Sequence, residues 1–223
     1  MAGFKSLLWA LAFVVIVVGT YADKDITVAG ITTKVKGQSG KIAVYKASEG
    51  ADSGVTITYD AIKEVTAAGE DINSHTFNNF AKMDFTFSDV TAGNYMSSSV
   101  NASMFSFMAN MTVDGVMATL TSYIYVFRER GNITIDGEDF MVTPGLMKFN
   151  VKVEDWAFCN TCKNKGDQSV SGEYLDVYIE IKAKQSPQKG NKNGTYELGD
   201  GAMMTVPKEV SLILMLFYSL ARS

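Results

Sequence analysis

The sequence is poor in histidine, proline and cysteine: of 223 residues one is His, three are Pro and two are Cys. A single histidine, His75, excludes multi-histidine metal centres and leaves charge-relay catalysis one candidate base. Two cysteines exclude a disulfide-dense scaffold. Long hydrophobic runs are missing too. Leu7–Val18 and Val210–Ala221 are 12 uncharged residues each, short of the roughly 20 that span a bilayer as a helix. There is no basic excess. At a formal net charge of −4 no surface is prepared to neutralise phosphates, so nucleic acid is excluded as a partner. The same −4 is too mild for a polyanion that gathers cations by charge alone. No Gly-x-Ser-x-Gly elbow, His-Glu-x-x-His helix or phosphate-binding loop occurs. What remains is 47% hydrophobic and 20% charged, the balance of one globular domain with a real core rather than a disordered or collagen-like chain.

The two ends speak about compartment. Lys5, the apolar run to Val18 and the small-residue exit Gly19-Thr20-Tyr21-Ala22 have the layout of a secretory signal peptide over residues 1–22. Cleavage after Ala22 would leave Asp23 first, and loss of Lys5 would take the net charge to −5. Four sequons agree with export and predict glycosylation at Asn101, Asn110, Asn132 and Asn193, with Asn110, inside a predicted strand, the one to be skipped. At the other end, residues 210–223 form a hydrophobic tail behind the small residues Asp200-Gly201-Ala202. That order fits a removable glycolipid-anchor signal or, alternatively, a last buried element of the domain. A membrane partner is expected only in the first case.

Between the ends, residues 23–209 alternate with period two, the mark of half-buried strands. Met147, Phe149, Val151 and Val153 oppose Lys148, Asn150, Lys152 and Glu154. Leu175, Val177, Ile179 and Ile181 oppose Asp176, Tyr178, Glu180 and Lys182. Further strands are predicted at Ile26–Ala29, Thr32–Val35, Ile42–Tyr45, Val55–Tyr59, Met83–Phe87, Phe105–Ala109 and Leu120–Phe127. Turns fall at Ser39-Gly40, Asp52–Gly54, Asp114-Gly115, Asp136-Gly137 and Asp200-Gly201. Ala61–Ala68 is ambiguous between strand and a two-turn helix. Asn160–Gly172 and Gly190–Gly194 read as surface loops. The pattern predicts an all-β chain, a single antiparallel β-sandwich of jelly-roll or immunoglobulin-like kind.

Chemistry is thinly supplied. Cys159 and Cys162 stand in Cys-Asn-Thr-Cys. A thioredoxin-like motif needs a βαβ setting, and a zinc site needs two more ligands where only His75 is on offer. A disulfide pinning a strand end is the remaining reading. Trp156, three residues ahead, is expected to pack beside it. His75 lies in the polar Asn73-Ser-His-Thr stretch, a turn on this reading. Asp60, Glu64, Asp84 and Asp89 could pair as carboxylates across strands, as in any chain of this size. No catalytic, cofactor-binding or metal residue is therefore assigned. Loop-bound calcium would use the Asp136-Gly137-Glu138-Asp139 turn, which lacks EF-hand spacing and reads first as a solvated turn. Tyr123, Tyr125 and Phe127 share one face of their strand, either core or a binding surface.

Met147–Cys159 (MKFNVKVEDWAFC), Gly172–Lys182 (GEYLDVYIEIK) and Tyr196–Gly201 (YELGDG) resemble blocks of the secreted skeletal organic matrix proteins of stony corals and related marine invertebrates. The likeness runs over about residues 40 to 210, most specifically Lys148 to Lys182. It implies a secreted protein of an extracellular, biomineralising matrix, occluded in aragonite, with other matrix components or the mineral surface as partners. It offers no catalytic residues to carry over. The mild charge departs from the strongly acidic members credited with mineral contact. The competing expectation is an adhesion or ligand-binding module held at the cell surface by a lipid anchor.

Overall fold

The computed structural model describes residues 22–135, 137–163 and 169–183, together with the backbone of four later strands. In chain order the strands are β1 (Lys24–Val28), β2 (Ile31–Val35), β3 (Ile42–Lys46), β4 (Val55–Val65) and β5 (Asp71–Phe77). There follow β6 (Thr86–Phe87), β7 (Thr91–Asn94), β8 (Asn101–Val113), β9 (Val116–Phe127), β10 (Gly131–Ile135), β11 (Glu138–Val142) and β12 (Met147–Glu154). Then come β13 (Cys162–Lys163), β14 (Ser169–Val170) and β15 (Tyr174–Lys182). The backbone-only strands are β16 (Gln188–Lys189), β17 (Thr195–Gly199), β18 (Ala202–Thr205) and β19 (Leu216–Leu220).

Two antiparallel sheets hold most of these strands. The first runs β1-β2-β3-β4-β15, with β5 also on β4; the second runs β16-β17-β18-β19-β12-β9-β8-β6, with β7 also on β8. Alternation explains how they meet. Ile42, Val44, Val55, Ile57 and Tyr59 point inward from the first sheet, and Phe105, Phe107, Leu120, Ile124, Met147, Phe149 and Val151 from the second, into one shared core. Burying a side chain of this size stabilises by roughly 1.5–3 kcal/mol, so this layer supplies most of the driving force. A polar bond also crosses it: the Tyr59 hydroxyl and Ser122 Oγ lie 2.5 Å apart, and burial pushes the Tyr59 phenol well above its usual range. The chain is therefore an all-β sandwich. The β8–β9 hairpin turns on Asp114 and Gly115, with φ of 47° and 77°, the pair of left-handed residues that a two-residue hairpin requires.

The structure corrects several expectations. Ala61–Val65 continues β4, and the helical option disappears because the β-branched residues there find pairing partners on β5 and β15. His75 is in β5 and not in a turn. The strand expected at Met83–Phe87 is broken: Asp84 bridges to Gln38, Thr86–Phe87 pairs with β8, and Phe85 between them packs inward against Phe107. The strand at Ile26–Ala29 ends at Val28, where Ala29 turns left-handed. The Asn160–Gly172 loop contains the β13–β14 hairpin.

The largest correction concerns the outward face of β12. Lys148 and Asn150 are buried, because a second layer covers that side of the sheet. The β10–β11 hairpin brings Ile133, Ile135 and Val142 over Tyr95, Phe127 and Leu146, a separate apolar cluster with Tyr125 packed at its side. The Tyr123–Phe127 face is thus graded: Phe127 is fully buried, Tyr125 half-buried and Tyr123 exposed. Residues 1–21, the tip of the Asp136-Gly137 turn, the Asp200-Gly201 turn, the Gly190–Gly194 loop and Asn193 lie outside the described residues.

Candidate functional site

Strict alternation from Val55 would turn Glu64 to solvent. A β-bulge reverses the phase. Tyr59 pairs with Ile179 and Ala61 with Tyr178, so Asp60 is an extra residue on β4. Beyond it the even positions face inward, and Ile62 and Glu64 are both fully buried. A carboxylate so placed needs donors, since burying an uncompensated charge costs several kcal/mol.

Two segments supply three of them. The Trp156 indole N–H donates to Glu64 Oε2 at 2.8 Å, and the backbone N–H of Cys159 donates to Oε1 at 2.8 Å. His75 Nδ1–H donates to Oε2 at 3.1 Å. The donors stand 92, 95 and 11 residues away in the chain, so one side chain ties β4 to β5 and to the segment leaving β12. Asp155 takes a left-handed φ of 57° to steer that segment inward. Cys159 and Cys162 are joined through their sulfurs, with Cα atoms 5.9 Å apart, and Ser74 Oγ–H points at Cys162 Sγ from 3.8 Å. Gly172 closes the cluster. Its N–H donates to the Cys159 carbonyl at 2.9 Å, and a Cβ there would collide with the Glu64 carboxylate.

The expected site residues distribute unevenly over this frame. Of the four carboxylates singled out in the sequence, Asp60, Asp84 and Asp89 are exposed and only Glu64 enters a cluster. Trp156 lies in the main core beside the disulfide. His75 is held between two carboxylates, with Nε2 3.6 Å from Asp114 Oδ2. What faces Nε2 is thus an acceptor, not the hydroxyl or thiol that acyl transfer would need. Glu138 and Asp139 open β11, where Asp139 Oδ1 accepts a bond from Thr134 Oγ1 at 2.7 Å. Among the sequons, Asn110 and Asn132 are exposed and Asn101 is half-buried. Asn110 Oδ1 accepts from Thr119 Oγ1 at 3.2 Å.

Sequence reasoning missed the convergence itself. Its one available signal was the run of acceptor and donor types at Glu64, His75 and Trp156, uninterpretable until the bulge is known. Elsewhere a groove of about 480 Å³ crosses the outer face of the first sheet, lined by Lys34, Lys36, Lys41 and Lys182 around Ala43 and Thr56. Asp23 pairs with Lys34 and Lys36 at 3.0 and 2.9 Å, and Glu180 with Lys182 at 2.9 Å. Three of these four lysines are thereby paired from within the chain.

Fold and cluster together define a class: an antiparallel sandwich whose polar tie, sealed by an indole and a disulfide loop, holds strands together. The family model described as acidic skeletal organic matrix protein matches residues 19–204, and the chain belongs to that family. No solved structure matches it. The family places the protein with the organic matrix of skeletons and assigns it an extracellular matrix role.

Proposed function

We propose that this chain is a secreted, glycosylated structural component of a mineralised extracellular matrix, without catalytic activity. Residues 1–22 are a signal peptide, residues 23–209 the sandwich, and residues 210–223 a tail. Sugars at Asn101, Asn110, Asn132 and Asn193 keep its surface hydrated, and loops and glycans make the contacts with other matrix components or the mineral surface. The observation that carries this reading is the family match over residues 19–204. The geometry lends support, because the polar cluster around Glu64 holds strands together. Asp23, the first residue after the proposed cleavage, supports the processing site: its carboxylate is already fastened to Lys36 and to the Gly37 N–H. The backbone of β19 pairs with Met147–Phe149 of β12, which favours a tail kept within the domain over a removed anchor signal.

The test is intact mass spectrometry of protein recovered from demineralised skeleton, before and after enzymatic deglycosylation, with mapping of both terminal peptides. The expected chain begins at Asp23, keeps its tail and loses mass on deglycosylation. A chain ending near Asp200 with a glycolipid attached would move the protein to the cell surface, and absence from the matrix would overturn the proposal.

A further inference from the structure

A ring nitrogen of His75 and the two sulfurs of Cys159 and Cys162 lie within 4.8 Å of one another. A Cys-x-x-Cys pair plus histidine is three-quarters of a tetrahedral zinc set. The geometry points to a second state of this cluster, in which the reduced Cys159 and Cys162, with His75 and Asp114, bind a d10 cation of the zinc class. This goes beyond the structural role proposed above and does not depend on it.

Three features of the site favour that chemistry. First, His75 is oriented as metal-binding histidines are. Its Nδ1 is engaged by Glu64 Oε2 at 3.1 Å, the carboxylate–histidine pairing that orients metal ligands, so Nε2 is the nitrogen a metal would take. Second, an exposed carboxylate stands beside the three-residue group and can swing in as fourth ligand: Asp114 Oδ2 is 3.6 Å from Nε2. Asp114 is 75% exposed, so the same residue marks an entry path from solvent. Third, His75 and Cys162 are buried beside Trp156, so thiolate–metal bonds would form in a partly dry shell. The required rearrangement is local. Zinc holds sulfur at about 2.3 Å and nitrogen at about 2.0 Å. The two sulfurs, bonded in the oxidised state, therefore part to just under about 4 Å, and the ring nitrogen, within 4.8 Å of them, closes to the same range.

The chemistry balances with a thiol reductant. A dithiol attacks one sulfur of the Cys159–Cys162 bond to give a mixed disulfide, and its second thiol resolves this. Two electrons and two protons pass to the cysteines, and the dithiol leaves as a cyclic disulfide. The divalent cation then displaces both thiol protons as it binds. The loop that the disulfide pins is pinned by the metal instead.

The experiment uses the full secreted chain, oxidised or treated with a dithiol, titrated with Co2+ as a spectroscopic stand-in and then with Zn2+ in competition. The reduced protein is expected to bind one Co2+ with sulfur-to-metal charge-transfer absorption and the intense visible bands of tetrahedral geometry. Zn2+ should displace it, and the oxidised protein should show neither band. His75→Gln is expected to abolish the tetrahedral spectrum. Should that variant misfold by far-UV circular dichroism, Asp114→Asn, at an exposed position, replaces it and is expected to weaken Zn2+ by roughly the 10–100-fold typical of disturbed zinc surroundings. Equal binding by the oxidised protein, binding without charge transfer, or unchanged affinity in Asp114→Asn would each overturn the four-ligand set.

Discussion

Among the described residues two charged side chains are fully buried, Glu64 and Lys148, and they are accommodated in different ways. Glu64 receives three directed N–H bonds from two segments, two of the donors more than 90 residues away. The partners of Lys148 include ring faces and not directed bonds alone. Its ammonium donates to Asn150 on its own strand and lies over the rings of Tyr95 and Tyr125, 5.3 and 5.4 Å from their centroids. A carboxylate satisfied by distant donors fixes how segments cross. A lysine satisfied by ring faces and a near neighbour mostly tolerates burial and fixes little. Hence the first site should behave as a tie and the second as an accommodated guest.

The sharpest way to break this comparison is to remove the tie. Glu64→Ala leaves the Trp156 and His75 N–H groups and the Cys159 amide without their acceptor, and we expect a loss of about 3–5 kcal/mol, the usual result of breaking a buried charged network. Urea denaturation of the oxidised protein measures it. A loss below about 1 kcal/mol, the range of ordinary surface changes, would show that the cluster is decoration.

Gly172→Ala tests the same tie from its other side. The added methyl has to displace the Glu64 carboxylate, and overpacking of this kind costs about 1–3 kcal/mol. If the collision is the cause, the penalty shrinks in the Glu64→Ala background, and a double-mutant cycle reads the coupling directly. Additive losses would place the penalty in the backbone instead.

Lys148→Met is the counterpart on the second site. Methionine keeps the aliphatic stem between the tyrosines and removes the ammonium, so the cost is the cation–π attraction, about 2 kcal/mol at most, and the bond to Asn150, about 1.5 kcal/mol. Relief of the buried charge offsets part of it. A loss matching that of Glu64→Ala would erase the distinction between tie and guest.

Both sites were hidden in the sequence for the same physical reason. Period-two alternation told which strands exist and which side of each is apolar: Met147, Phe149 and Val151 are in the core as their spacing indicates. It assumes an unbroken phase and one solvated face, and each assumption fails once. At Asp60 the bulge shifts the phase and carries Glu64 inward. At Lys148 the outward face is roofed by the β10–β11 hairpin, whose own alternation gives no hint of where it folds. The Cys159–Cys162 spacing and Trp156 were visible. His75 belonging with them was not, because β5 reaches them only through its pairing with β4.

Asp23 supplies the contrasting half-buried surface carboxylate and the smallest effect. Partial desolvation works to raise its pKa, but the Lys36 and Lys34 ammonium groups and the Gly37 N–H outweigh this and hold it at about 2, below the usual 3.8. A depressed carboxylate stabilises the fold above its unfolded pKa, and that contribution drains away as pH falls from 3.8 towards 2, where the folded state also takes up the proton. Asp23→Asn should therefore lower the urea midpoint slightly at neutral pH, and the gap from the parent chain should close on approaching pH 2. Added salt should narrow the gap as well, because the pairs face solvent. Glu64→Ala, by contrast, should be nearly indifferent to salt, since its donors act inside the core and screening ions do not reach them. A salt-sensitive Glu64 variant beside a salt-insensitive Asp23 variant would invert the ranking and show that the tie on which the sandwich closes lies at its N-terminal edge.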